Sequence, residues 1–332
     1  MLKNHLEKLL AKENLNEIEI AVAANAIATG YDSAQVAAFL VLLRSKGETP
    51  SEITALVHSM RKHAVSVTLD RPVLDIVGTG GDGANTVNIS TGSAILAAAC
   101  GAAVAKHGNR AVSSRCGSAD VLEALGVNIE GTPETVSASI KKIGIGFMLA
   151  PLFHPALKHV GVIRKSLKVP TIFNMIGPLM NPAKAEFMVF GIFKKDLVMT
   201  MAEALQALGV IRAIVFHGNG TDELTPSGPL EAILVTPLEL KPIVIDPRQY
   251  GLPLCHLNDL KGGDAAKNAA LLKEAFQGRG GPISDTLALN AGVGLWVVGK
   301  VCNIADGVAY AQESLNNGAA ERLLQQWIGQ HA

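Results

Sequence analysis

Hydrophobic and polar positions along the chain follow two different rhythms. Over residues 1–65 the apolar positions recur at helical spacing, with Val36, Phe39, Leu40 and Leu43 on one face, and strand-like runs are few. Caps mark three helix starts: Asn16 with Glu19, Asp32 with Gln35, and Thr49-Pro50-Ser51-Glu52. In the last, threonine caps, proline takes the first helical position, and glutamate reaches back from the third. Lys46-Gly47 closes the preceding helix with a cation and then a glycine. A unit this small buries little surface alone, so it is expected to pack on the rest of the chain and on a second subunit.

From about Val73 the rhythm changes. Strand-like runs (74–77, 102–105, 145–149, 187–193, 211–216 and 232–235) alternate with helical ones (90–100, 119–125, 133–143 and 196–208). The alternation predicts an α/β fold with a mostly parallel central sheet flanked by helices. Ligands in such folds collect at the carboxyl ends of strands. The chemistry-bearing residues fall there: a glycine loop after Val77, Lys106 after Ala105, and Asp222-Glu223 beyond Phe216.

The apolar run 74–77 breaks into Gly78-Thr79-Gly80-Gly81-Asp82-Gly83, a buried strand entering a glycine loop. Glycines allow positive φ and close approach of a ligand, so several N–H groups can converge on one anion. Ser90 and Thr91 stand before a strong helix-forming run, as ordinary caps or as hydroxyls facing an anion. The spacing is neither a Walker loop nor GxGxxG, and a tight turn before a capped helix remains the plain alternative. In Lys106-His107-Gly108-Asn109-Arg110, a lysine at a strand end suits a phosphate or carboxylate; a solvated basic loop is the other reading. Ser113-Ser114-Arg115-Cys116-Gly117-Ser118 leads into a helix that Ser118 caps.

Asp222-Glu223, in a glycine-containing loop, offers hard oxygen ligands suited to Mg²⁺, which usually takes one or two carboxylates with waters and substrate phosphates. An acidic surface pair is more often only solvated. The company of a glycine loop and a lysine on one sheet turns the reading towards a magnesium–phosphate substrate. Two further stretches, 147–156 and 171–182, are apolar, proline-rich and irregular. Such a lining suits a flat apolar molecule, and Arg164 between them could grip a carboxylate by a two-pronged hydrogen bond. His154 reads first as a core histidine.

The 332 residues are 48% hydrophobic, ample for a large core, and 29 Lys+Arg balance 29 Asp+Glu. Neutrality argues against general nucleic-acid binding. Four scattered cysteines lack zinc spacing, and no signal peptide is evident, so reduced thiols in the cytoplasm are expected. The longest apolar stretches, such as 94–104, are too short to span a bilayer, so no membrane partner is expected.

Taken in order, these stretches resemble the anthranilate phosphoribosyltransferase family over nearly the whole chain. The resemblance runs through Gly78-Thr79-Gly80-Gly81-Asp82, Asn88-Ile89-Ser90-Thr91, Lys106-His107-Gly108-Asn109-Arg110 and Ser118-Ala119-Asp120. It continues through His154-Pro155-Ala156, Arg164, Asn174 to Pro182, Asp222-Glu223-Leu224, Gly262-Gly263-Asp264 and Asn290-Ala291-Gly292. Val87, Thr221 and Leu157 depart from the family's usual residues without removing a charged group.

The resemblance implies transfer of phosphoribose from 5-phosphoribosyl 1-pyrophosphate to the amine of anthranilate, in tryptophan biosynthesis. It implies a helical domain at 1–70 with a short return near 165–180, an α/β domain at 71–332, and a homodimer through the helical domain. Gly78, Gly80, Gly81, Asp82, Thr86, Asn88, Ser90, Thr91, Lys106 and Ser118 would bind the phosphorylated substrate. His107, Asn109, His154, Arg164 and Pro178 would orient the amine. Two magnesium ions are implied, Asp222 and Glu223 holding one and Ser90 standing near the other. Lys106, Asn109 and Arg164 would act by charge and orientation, with no nucleophile. A pyrimidine nucleoside phosphorylase on the same fold and a nucleic-acid-binding relative without catalysis stay open as alternatives.

Overall fold

The computed structural model describes residues 2–111 and 115–331. Four helices open the chain: α1 (Lys3–Leu10), α2 (Glu17–Thr29), α3 (Ser33–Lys46) and α4 (Pro50–Arg61). The three caps read from the sequence all form. Asn16 and Glu19 exchange reciprocal bonds, as do Thr49 and Glu52, and the Asp32 carboxylate accepts from the Ala34 and Gln35 amides. The helix α1 went unread because Leu2 before it offers no side-chain cap. Val36, Phe39, Leu40 and Leu43 are all buried, and Lys46 pairs with the buried Glu52 at 2.8 Å.

Among the described residues seven strands form one sheet in the order β3-β2-β1-β4-β5-β6-β7. They are β1 (Leu74–Gly78), β2 (Val104–Gly108), β3 (Ile145–Leu149), β4 (Phe187–Gly191), β5 (Arg212–Phe216), β6 (Leu230–Val235) and β7 (Leu240–Ile245). The first five are parallel, and β6 and β7 close the edge as antiparallel neighbours. Lys106 and His107 lie inside β2, not beyond its end as the sequence suggested. The ladder with β3 continues through Lys106↔Phe147 to Gly108↔Leu149.

The chain runs outward from β1 through β2 to β3, then returns to β4 on the other side of β1. That reversal opens a crevice at the carboxyl ends of β1 and β4, where doubly wound sheets bind ligands. Among the described residues ten further α-helices complete the fold: α5 (Ile89–Ala99), α6 (Ser118–Leu125), α7 (Pro133–Ile143), α8 (Ala150–Phe153), α9 (Leu157–Leu167), α10 (Val198–Ala207), α11 (Ala265–Phe276), α12 (Pro282–Val297), α13 (Ile304–Asn316) and α14 (Ala319–Ile328). On one face α5 and α12 pack on the central strands, with α13 and α14 outside them. The other face meets α10, which packs in turn on α4. Met148, Met188 and Phe190 of that face share one apolar core with Phe39, Leu56 and Val57 of the opening helices. The first stretch expected to be irregular contains α8, and α9, between the two stretches, carries Arg164 and packs against α2 and α3.

Candidate active site

The glycine loop leaves β1 at the crevice. Gly80 and Gly81 take φ of 73° and 82°, left-handed values that side chains disfavour. They turn the Gly80 N–H onto the Asp222 carboxylate at 2.5 Å. The Asp82 carboxylate points back along the same loop and accepts from the Thr221 hydroxyl, the Asp222 amide and the Ala84 amide. The β1 loop and the acidic loop after β5 are therefore clasped together, although 139 residues separate Asp82 from Thr221. Gly78 and Gly191, opposite each other in the ladder, allow this approach, because a Cβ at either would overlap Asp222.

Asp222 and Glu223 are both buried. Burial and the neighbouring charges of Glu223 and Asp82 push the Asp222 carboxyl well up. Burial pushes Glu223 up to about 7. Glu223 accepts from the Ser90 amide at 3.1 Å, and the Ser90 hydroxyl adds a second bond. The charge of Asp82 thus acts on both members of the buried pair, with Lys106 the cation whose charge reaches Glu223. Uncompensated buried negative charge with hard oxygen donors fits a divalent cation. Among the described residues no three His, Cys, Asp or Glu side chains converge as a closed ligand cage. An open two-carboxylate site suits magnesium, which keeps water and substrate phosphates as its other ligands.

Ser90 and Thr91 do not cap α5. The helix begins at Ile89 with Asn88 at the cap position, so both hydroxyls lie in its first turn, and the Thr91 hydroxyl is buried without a partner. Asn88 donates to the Cys116 carbonyl and accepts from Asn268, tying the segment before α6 to α11. Thr86 bridges to Lys261, whose ammonium holds the Ala84 carbonyl at 2.6 Å. Ser118 likewise lies inside α6, not at its cap; Gly117 takes the cap position and Asp120 accepts from its N–H. The Ser118 hydroxyl instead donates to the Asn109 carbonyl at 3.3 Å. Ser113 and Ser114 lie outside the described residues.

Lys106 is 1% exposed and donates to the Ile76 carbonyl at 2.9 Å. Burial lowers its pKa, while the charges of Asp75 and Glu223 favour the ammonium. His107, next in the strand, packs edge-on against His154 with ring centroids 5.1 Å apart. Burial holds His107 down to about 3 and His154 to about 4, so both imidazoles are neutral. His154 is thus buried, as a core histidine would be, yet it faces a second site residue. Pro178 is buried at the start of a short 3₁₀ turn beside them. Asn109 accepts from the Arg110 amide, and Arg110 itself pairs with Asp120 and Glu123.

Arg164 is half-buried. Its Nη2 reaches the Asn174 side-chain oxygen at only 3.4 Å, and the guanidinium lies 5.9 Å from the Phe173 ring centre. No acidic side chain pairs with it among the described residues. Sequence reasoning passed over Asp75 and Asn181. Asp75 is a fully buried acid in an otherwise apolar strand, raised to about 6 by burial, and Asn181 donates to it at 2.8 Å. An acid in the middle of a buried parallel strand is the signal that marked it.

Two family models cover most of the chain: the glycosyl transferase family helical bundle domain over residues 3–64 and the glycosyl transferase family a/b domain over residues 70–321. The chain is 46% identical over 329 residues to the anthranilate phosphoribosyltransferase of Chlamydia felis, covering 99% of this chain and 96% of that one. It is 44% identical to the enzyme of Geobacter sulfurreducens, over 99% of both. The crystal structure of the Thermus thermophilus anthranilate phosphoribosyltransferase superposes with a TM-score of 0.93 at 44% identity, over 98% of each chain. The Saccharomyces cerevisiae enzyme, solved in complex with PRPP and Mg, gives 0.90 at 30% identity, over 99% of this chain and 97% of that one. With relatives this similar over its full length, a shared fold, and a glycine loop clasped to a buried acidic pair, the chain belongs to the anthranilate phosphoribosyltransferase family.

Proposed function

We propose that the chain transfers the phosphoribosyl group of 5-phosphoribosyl 1-pyrophosphate to the amine of anthranilate, releasing pyrophosphate, as the second step from chorismate to tryptophan. The observation that carries this reading is the convergence at the β1–β4 crevice: a glycine loop, a buried lysine and an acidic pair suited to magnesium. A nucleoside phosphorylase is disfavoured because Arg164, free of any acidic partner among the described residues, suits a carboxylate its substrates lack. A nucleic-acid-binding role is disfavoured by the zero formal charge.

The Gly78–Asp82 loop, Thr86, Asn88, Thr91, Lys106 and Ser118 are assigned to the phosphorylated substrate. Asp222 and Glu223 would hold one magnesium ion and the Ser90 hydroxyl a second. Bound there, the ions neutralise the charge that builds on the departing pyrophosphate. Lys106 adds a fixed cation in a water-poor setting, where charge stabilises the transition state most strongly. As the bond to pyrophosphate breaks, the ribosyl carbon takes on cationic character and the amine lone pair closes on it. The aromatic amine is already neutral at pH 7, so it needs orientation: Arg164 holds its carboxylate, and His107, His154, Asn109 and Pro178 fix the ring. Holding both substrates face to face removes much of the entropic barrier.

We read residues 1–70 with the return near 165–180 as a helical domain, and 71–332 as the α/β domain. The helical domain is assigned a homodimer interface, since Leu10, Ile18 and Val41 are exposed on its helices, and the cytoplasm is the expected compartment. Sedimentation at micromolar concentration should give roughly twice the 34.7 kDa chain mass; a fully active monomer refutes that assignment. The reaction itself is tested by the decay of anthranilate fluorescence with phosphoribosyl pyrophosphate and Mg²⁺. No decay, or decay unaffected by chelator, overturns the reading.

A further inference from the structure

Three helix starts are joined by one chain of hydrogen bonds. Asn268, in the first turn of α11 and 1% exposed, accepts from the Gly263 amide through Oδ1 at 2.7 Å. Its Nδ2 donates to Asn88 Oδ1 at 2.8 Å, and Asn88 Nδ2 donates in turn to the Cys116 carbonyl at 3.1 Å. Asn88 holds the cap position of α5, and Cys116 stands two residues before Ser118, the first residue of α6. The chain thus reaches from α11 to the helix turns that carry Ser90, Thr91 and Ser118.

Its direction is fixed from both ends. A backbone amide only donates and a carbonyl only accepts, so neither asparagine can turn over without setting like atoms against each other. Asn88 therefore faces its oxygen to Asn268 and its nitrogen to Cys116. One of its two amino hydrogens goes to that carbonyl, and the other remains for a ligand. Backbone pairing brings the two loops together: the Val87 amide donates to the Leu260 carbonyl at 2.9 Å, and the Gly262 amide to the Asn85 carbonyl at 3.0 Å. A Cβ at Gly262 would lie 2.5 Å from Asn268 Oδ1 and 2.8 Å from the Thr86 carbonyl, so glycine is what permits this approach. A fully buried amide is costly unless both its ends pair, and packing alone would be served by an apolar residue.

We propose that Asn268 is a positioning residue for the phosphorylated-substrate half of the site: it takes up the Asn88 oxygen, so that Asn88 offers a phosphate its N–H, and it ties the starts of α5 and α6 to α11. An anion site works by presenting donors, whereas an untethered asparagine is as free to present its oxygen, which repels a phosphate. Asn268, being buried, acts through Asn88. This rests on the transferase reading above, in which Asn88, Ser90, Thr91 and Ser118 serve the phosphorylated substrate, and the measurements are chosen to separate the two.

Asn268→Ala and Asn268→Asp separate this role from packing. Alanine releases Asn88. Aspartate keeps the acceptor for Gly263 and nearly the same volume, but it only accepts, so Asn88 must turn its nitrogen inward and its oxygen towards Cys116 and the ligand. The Michaelis constant for phosphoribosyl pyrophosphate should rise about fivefold with alanine and about thirtyfold with aspartate, the scale of one and then two hydrogen bonds. That for anthranilate should stay within about twofold. A packing role gives the reverse order, since alanine removes more atoms. Asn88→Ala separates the relay from the bare charge of the new carboxylate: in that background Asn268→Asp should add less than about twofold. Alanine worse than aspartate overturns the proposal, as does an aspartate effect undiminished by Asn88→Ala, or two Michaelis constants that rise together. If Asn268→Ala does not fold, Asn268→Asp with and without Asn88→Ala still decides. Calorimetric binding of magnesium pyrophosphate, which needs no turnover, should follow the same order. If wild type binds it yet leaves anthranilate unconsumed, the transferase reading falls while the pyrophosphate affinities still judge Asn268.

Discussion

Replacing Arg164 by alanine is the sharpest test of the acceptor site. In the protein without substrate the guanidinium has little to lose: a 3.4 Å contact with Asn174 and a loose approach to the Phe173 ring. The first is beyond good hydrogen-bond length. The second is worth about 0.5–1 kcal/mol at such a site. The melting temperature should therefore fall by at most roughly 2–4 °C. Burial lowers the pKa of Arg164, yet guanidinium stays charged, so the site holds a partly desolvated cation awaiting an anion. A charge-assisted pair with a substrate carboxylate is worth about 1.5–3 kcal/mol. The Michaelis constant for anthranilate should thus rise about ten- to a hundredfold, with that for phosphoribosyl pyrophosphate nearly unchanged. Steady-state kinetics with each substrate varied, beside a thermal melt, give all three numbers. Equal weakening of both substrates with a large drop in melting temperature would falsify the carboxylate assignment and make Arg164 a structural residue.

Other expectations concern the acidic loop. Asp222→Asn with Glu223→Gln should lower turnover at least a hundredfold, about 3 kcal/mol of transition-state stabilisation, and full activity in that variant or in excess chelator sinks the metal assignment. In the metal-free protein Glu223 is raised from 4.5 to about 7, so the folded state binds more protons than the unfolded one across that window. Stability must then fall as pH rises through it, and Mg²⁺ should restore the melting temperature above pH 7; a flat pH profile with no response to magnesium refutes the crowding of these carboxylates. Gly191→Ala places a methyl group on the Asp222 carbonyl, a backbone clash that only movement of the acidic loop relieves. It should cost about 1–3 kcal/mol of stability, read by denaturant unfolding, and weaken magnesium binding; unchanged values for both mean the loops are not clasped as described.

Local signals determined much of this protein. Caps such as Thr49 with Glu52 compete for backbone groups within a few residues, so the helices they start could be read directly. The alternation of apolar runs dictated a mostly parallel sheet, and the glycine loop, Lys106 and Asp222-Glu223 announced their chemistry by residue type. What sequence could not carry was anything set by distant partners. That β2 runs past Lys106 depends on its ladder with β3 some forty residues on, so a strand-end lysine became a buried one. Ser90 and Ser118 looked like caps because hydroxyls before helical runs usually are; Asn88 and Gly117 took those positions once the flanking segments were anchored elsewhere. The edge hairpin partner β7 and the helices α11 to α14 lacked a clear signal, because their faces are defined by the sheet and α5 they cover. Asp75 and Asn181 stand 106 positions apart and meet only where the return to β4 folds over β1. A buried polar pair of this kind is chosen by the tertiary structure, since each partner alone is an unfavourable residue for its site.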